Sequence, residues 1–117
     1  MPTKEEFLEK VKGFAPDIIG FSARTTAIPF ITKMAGWLDD DLPDIYVTIG
    51  GYHAILVPDE CIAIRGIDCV TVGEGEYPLL EIMDSMRDTG EVRTDIQSGI
   101  FKLPNGEIIK NPVAPLI

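Results

Sequence analysis

The sequence predicts an α/β fold: about three parallel strands in one sheet, helices on both faces to make three layers, and an antiparallel β-hairpin at the C-terminus. Three observations carry this expectation. Ile18–Phe21, Ile45–Ile49 and Cys69–Val72 are short apolar runs without polar alternation, the pattern of strands covered on both faces. Each run is followed by a loop rich in glycine or hydroxyls and then by apolar residues at helical spacing, and such units in tandem imply right-handed crossovers and a parallel sheet. Finally, Asn105-Gly106 separates the runs Gly99–Lys102 and Glu107–Lys110, a strong hairpin signal.

Taken in order, Thr3-Lys4-Glu5-Glu6 has the spacing of a capping box, and Phe7, Val11 and Phe14 follow at helical intervals, so a first helix runs to about Gly13 before Pro16 breaks it. The strand Ile18–Phe21 leads into a polar loop, Ser22-Ala23-Arg24-Thr25-Thr26, whose Thr26 is placed to cap a helix with Pro29 in its first turn. Ile31, Met34, Ala35 and Leu38 form the buried stripe of that helix, and Asp39-Asp40-Asp41 with Pro43 stops it. The second unit is the strand Ile45–Ile49, the loop Gly50-Gly51-Tyr52-His53 and a helix from Pro58 to Ile64. The third is Cys69–Val72, the loop Gly73-Glu74-Gly75-Glu76 and a helix from Tyr77 to Arg87 with Leu79, Leu80 and Met83 inward. Residues 1–90 therefore read as the α/β unit and 91–117 as a hairpin appendage with an extended, proline-bearing tail.

With 117 residues, 45% of them apolar, the chain can bury a core without a metal or disulfide, so Cys61 and Cys69 read as small buried thiols in a reducing cytoplasm. Nineteen acidic against ten basic residues give a net charge of −9, which argues against nucleic acid and anionic membranes as partners. No apolar run approaches the roughly 20 residues that span a bilayer.

Loops that follow parallel strands emerge at one carboxyl edge, where open α/β sheets bind ligands. Here that edge gathers Ser22, Arg24, Thr25 and Thr26, then Gly50, Gly51, Tyr52 and His53, then Gly73, Glu74, Gly75 and Glu76. Hydroxyls, glycines that admit a ligand to the backbone, one imidazole and two carboxylates make a polar binding site. Neither glycine-bearing loop has the offsets of a dinucleotide fingerprint, no phosphate-loop lysine or Gly-x-Ser-x-Gly elbow is present, and no spacing matches a zinc or iron–sulfur site. His53, the single histidine, reads as a hydrogen-bonding loop residue; acid/base chemistry would require it to meet Glu74 or Glu76 within about 3 Å of a shared proton.

These same segments, Pro16-Asp17-Ile18-Ile19-Gly20-Phe21-Ser22, Ile49-Gly50-Gly51-Tyr52-His53-Ala54 with Pro58 and Glu60, and Val72-Gly73-Glu74-Gly75-Glu76, resemble the cobalamin-binding domain of cobalamin-dependent radical SAM enzymes. The resemblance spans about residues 4 to 117, and its last stretch is similar to the segment that joins this domain to the radical SAM barrel. It implies a Rossmann-like fold that holds cobalamin over the carboxyl edge. Ser22, Thr25 and Thr26 would hydrogen-bond the nucleotide tail or corrin side chains, Gly50 and Gly51 would let the tail lie against bare backbone, and Tyr52, His53, Gly73 and Glu74 would border the cleft.

Two departures shape the expectation. The chain begins at the helix that, in the wider family, follows a strand, a loop often carrying a cobalt-ligating histidine, a helix and a further strand, so about half the expected pocket is absent. With only Cys61 and Cys69, the chain also lacks the Cys-x-x-x-Cys-x-x-Cys motif. It therefore reads as a truncated cobalamin module, not catalytic alone, binding cobalamin weakly or not at all, with the missing radical SAM domain as a partner. The competing reading is a cofactor-free Rossmann-like domain that works through oligomerisation. On either reading the uncharged strand Ile18–Phe21 is left as an open sheet edge, which predicts a homo-oligomer, a dimer first of all.

Overall fold

The computed structural model describes residues 3–22, 24–51, 54, 56–72, 76–92, 94–96 and 98–112. Helix α1 (Lys4–Phe14) starts at the expected cap, with the Thr3 hydroxyl accepting from the Glu6 amide at 3.2 Å, and ends where Ala15 adopts a left-handed conformation. Strand β1 (Ile18–Ser22) then takes in Ser22, which the sequence places in the loop. A 3-10 turn, Thr25–Ala27, follows and leads straight into α2 (Ile28–Asp41). The N-cap is Ala27 without a side-chain hydrogen bond, so Thr26 is not the cap: the tight turn consumes the position from which its hydroxyl would reach the helix.

Nor do the three aspartates stop α2, which runs through Asp41. Carboxylates at a helix C-terminus oppose its dipole. Here Arg65 meets Asp39 at 3.0 Å and Asp40 at 2.7 Å, and Lys4 meets Asp41 at 3.2 Å, offsetting that opposition with exposed pairs of modest individual worth.

Strand β2 (Tyr46–Gly50), the short helix α3 (Pro58–Ile62), β3 (Cys69–Thr71) and α4 (Glu76–Thr89) complete the alternating units. In α4 the buried face carries Ile82 and Ser85, while Met83 is 49% exposed. The expectation of an inward Met83 fails because Leu79, Leu80, Ile82 and Met83 form a broad apolar arc, and which part faces the sheet depends on the helix's rotation. The side chains of Leu79 and Leu80 lie outside the described residues.

Strands β4 (Gly99–Lys102) and β5 (Ile108–Lys110) form the hairpin, closed by the Asn105 side chain accepting from the Glu107 amide at 2.9 Å. The hairpin continues the sheet. The five strands lie in chain order, β1-β2-β3-β4-β5, with β1, β2 and β3 parallel and the last two pairings antiparallel.

Helices α1, α2 and α3 cover one face, where Val11, Ile31, Ala35, Leu38, Cys61 and Ile62 pack on Val47, Ile49, Val70 and Ile100. The other face holds a smaller cluster, Cys69, Ile82, Ile96 and Phe101, with Ile18, Tyr46 and Ile109 against it. At the amino end of the parallel strands, Asp68 accepts from the Val47 amide at 2.8 Å and the Lys102 ammonium donates to the Ile64 carbonyl at 3.1 Å. This clasp ties β2, β3 and β4 together at the end away from the carboxyl edge. Burial raises the Asp68 carboxyl above its ordinary value, against the pull of the Val47 amide and Lys102.

Candidate functional site at the carboxyl edge

Strand register decides which residues meet at the edge. β1 and β2 pair with Gly20 beside Thr48 and Ser22 beside Gly50. β2 and β3 pair with Thr48 beside Cys69 and Ile49 beside Val70, which carries Gly50 alongside Thr71. Because side chains alternate between faces, Gly20, Ser22, Thr48, Gly50 and Thr71 share one face, that of α4. Nearer the amino end the same face is apolar, with Ile18, Tyr46 and Cys69.

The result is a floor of bare backbone and hydroxyls across three adjacent strands. Gly20 and Ser22 are exposed, whereas Thr48 and Thr71 are buried. A Cβ at Gly50 would stand 2.6 Å from the Thr71 hydroxyl, so only glycine lets these two strands lie together there. Gly51, at φ +99°, turns the chain off the end of β2 through a conformation that side-chain-bearing residues rarely adopt.

Of the residues expected at the site, Ser22 and Gly50 are neighbours at the strand ends, Gly51 follows, and Thr25 and Thr26 lie in the turn that leaves β1. Tyr52, His53, Gly73 and Glu74 lie outside the described residues. The floor adds Gly20, Thr48 and Thr71, which a sequence reading passes over because threonine in an apolar run looks like any strand-forming residue. Only their register with Ser22 and Gly50 singles them out.

None of these five floor residues ionises. Beneath them burial pushes the Cys69 thiol up to about 12, with Asp68 adding to it, and raises the Tyr46 phenol as well, so both stay neutral and serve packing. Among the described residues no three His, Cys, Asp or Glu side chains converge as metal ligands. Such a surface suits a flat, largely uncharged ligand part that hydrogen-bonds at its rim: the hydroxyls offer donors and acceptors, and the glycines admit close approach.

A parallel α/β sheet with this kind of carboxyl edge defines a ligand-binding domain, and the comparisons with known proteins say which. The B12 binding domain model matches residues 1–83, and the chain belongs to that family. It is 30% identical to the cytidylyl-2-hydroxyethylphosphonate methyltransferase of Streptomyces wedmorensis, over 97% of this chain and 21% of that protein. It is 29% identical to an uncharacterized methyltransferase of Pyrococcus horikoshii, over 98% of this chain and 25% of that one. The anaerobic magnesium-protoporphyrin IX monomethyl ester cyclase of Rubrivivax gelatinosus is 27% identical, over 98% and 21%. The chain thus spans a fifth to a quarter of the length of these relatives.

Among solved structures, the radical S-adenosylmethionine methyltransferase TsrM from Kitasatospora setae, with cobalamin and a [4Fe-4S] cluster bound, superposes with a TM-score of 0.79 at 21% identity, over 97% of this chain and 21% of that one. The cobalamin-dependent S-adenosylmethionine radical enzyme OxsB, with aqua-cobalamin and S-adenosylmethionine bound, gives 0.76 at 17% identity, over 97% and 16%. These likenesses confirm the Rossmann-like fold.

Proposed function

We propose that the chain is the cobalamin-binding module of a larger radical SAM enzyme and that it holds the nucleotide tail of the cofactor on the Ser22–Gly50–Thr71 floor. The register that sets a hydroxyl, a bare glycine and a second hydroxyl side by side on three strands carries this reading. Its chemistry fits the group: hydroxyls match a heterocyclic base and the amide rim of a corrinoid, and no carboxylate on the floor repels the phosphodiester. Thr25 and Thr26 lie beside it, and Gly51, Tyr52, His53, Gly73 and Glu74 belong to the loops that would border the corrin.

When bound, cobalamin supplies a cobalt centre able to carry an alkyl group. This chain's residues supply orientation and close approach, and the reaction, methyl transfer or another radical step, belongs with a radical SAM partner domain. The same reading places the protein in a reducing cytoplasm, supported by the free, buried thiols of Cys61 and Cys69. No helix among the described residues is long and apolar enough to cross a membrane.

One floor without the rest of a concave site buries little of so large a ligand, so affinity in the isolated chain is weak. Amide NMR during titration tests the reading. Cobalamin is expected to move Ser22, Thr48, Gly50 and Thr71 with saturation only in the high micromolar range or above, while cobinamide, which lacks the tail, leaves them in place. No movement of these amides at millimolar cobalamin would refute the assignment. Submicromolar binding would refute the claim that the chain holds only part of the site.

A further inference from the structure

The third site loop leaves β3 at Val72, and its exit is held from the hairpin side. The registered pairing of β2 with β3 ends at Ile49 beside Val70. On the other side the ladder runs further: the Val72 amide donates to the Ser98 carbonyl at 2.7 Å, and the Ser98 amide donates to the Pro112 carbonyl at 2.8 Å. These bonds continue the registers of β3 with β4 and of β4 with β5 beyond the ends of the strands. Ser98, between them, is buried and left-handed at φ +63°, a conformation that serine keeps only where its surroundings impose it.

Asn111 is what surrounds it. Ser98 lies in the tight turn 96–99, closed by the Gly99 amide donating to the Ile96 carbonyl at 3.3 Å. The Asn111 side chain donates one amide hydrogen to the Ile96 carbonyl at 2.9 Å and the other to the Thr94 carbonyl at 2.7 Å. Its backbone amide donates to the Gly99 carbonyl at 3.1 Å. One residue, standing where the sequence reads as the start of an extended tail, thus grips the turn at both ends. The grip needs a short side chain with two donors on one nitrogen: serine offers one donor and aspartate none.

We propose that Asn111 is a positioning residue for the third loop of the site. By gripping the turn it holds the Ser98 carbonyl where that carbonyl captures the Val72 amide, and so it sets the point at which the chain carrying Gly73 and Glu74 leaves the sheet. What the loop does there rests on the cobalamin reading; the grip itself is a property of the chain alone.

Backbone amide hydrogen exchange on the whole chain, read by NMR, tests the grip. Asn111→Asp keeps the size of the side chain but turns a carboxylate on two carbonyls; Asn111→Ala only removes the donors, and it serves if circular dichroism finds the first variant unfolded. Either variant is expected to speed exchange at Val72 and Ser98 about tenfold, the protection that two hydrogen bonds of ordinary worth supply, and to leave Tyr46 and Val47 at the far end of the sheet unchanged. In a second arm, cobinamide, which has the corrin without the tail, should move the Gly73 and Glu74 amides of the wild-type chain and fail to move them in the variant at the same concentration. Exchange that is unchanged at Val72 and Ser98, or that quickens equally at Tyr46 and Val47, would overturn the positioning role. A local quickening with an unaltered cobinamide response would overturn its bearing on the site. The exchange comparison uses no ligand, so it decides the grip even where the wild-type chain does not respond to cobinamide, an outcome that counts instead against the loop's bordering a corrin.

Discussion

Gly50→Ala tests the close approach of β2 and β3 in the middle of the proposed floor. The added methyl would lie 2.6 Å from the Thr71 hydroxyl, and its next neighbours, the Thr71 carbonyl at 3.8 Å and Cβ at 4.0 Å, are unstrained, so the whole conflict sits on one atom. Thr71 is buried at 6% exposure in a strand paired on both sides, which leaves the hydroxyl little room to turn away. Overpacking of this kind costs about 1–3 kcal/mol, and the lower freedom of alanine in the unfolded chain returns about 0.4–1 kcal/mol. The net loss is about 1–2 kcal/mol, which for a domain of this size lowers the Tm by about 4–8 °C. Thermal and urea unfolding followed by circular dichroism measure it. In a Thr71→Ala background the obstacle is gone, so Gly50→Ala should become neutral or slightly stabilising. Gly13→Ala is the matched control: nothing lies within 4 Å of a Cβ there, and an alanine in α1 should gain about 0.5–1 kcal/mol. Equal loss from Gly50→Ala with and without the Thr71 hydroxyl would refute the steric reasoning.

Ile82→Ala should cost about 2–5 kcal/mol and Met83→Ala well under 1 kcal/mol, the order expected when Ile82 is fully buried and Met83 half-exposed; equal losses by urea unfolding would mean a different rotation of α4. Cys61 and Cys69 are buried with thiols raised above their ordinary range, so a disulfide exchange reagent should label neither in the native chain at neutral pH and both after denaturation. Asp68 titrates above its unfolded value because burial disfavours its charge, so the folded chain takes up this proton first as pH falls. The Asp68 contribution, wild type minus Asp68→Asn, should therefore grow as pH is lowered through the raised value toward the unfolded one; a contribution that shrinks over that window would reverse the assigned direction.

Much of the fold was legible because each parallel strand announces itself as an uncharged run, and because Thr3 with Glu6 marks the start of α1. Local pattern failed where the deciding partner is distant in sequence. The aspartates at the end of α2 meet Arg65, which lies beyond β2 and pairs with Asp39 and Asp40. Ser22 and Gly50, read as loop residues, extend their strands because each is the other's partner. The site divides the same way: hydroxyls and glycines stand out in a loop, but Thr48 and Thr71 are invisible inside apolar runs until register aligns them with Gly50. The rotation of α4 stayed ambiguous because four of its apolar residues lie close together.

The strand order β1-β2-β3-β4-β5 is also the order of synthesis. Among the described strands each of β2 to β5 pairs with its immediate predecessor, so none of them has to wait for a later one, and this part of the sheet can grow one strand at a time from a docked pair of β1 and β2 with α2. Sequential growth keeps loop closures modest and limits the time that half-made sheet is exposed, conditions that favour fast folding and disfavour trapping. Each new strand covers the edge left by the one before it, up to the short, charged β5.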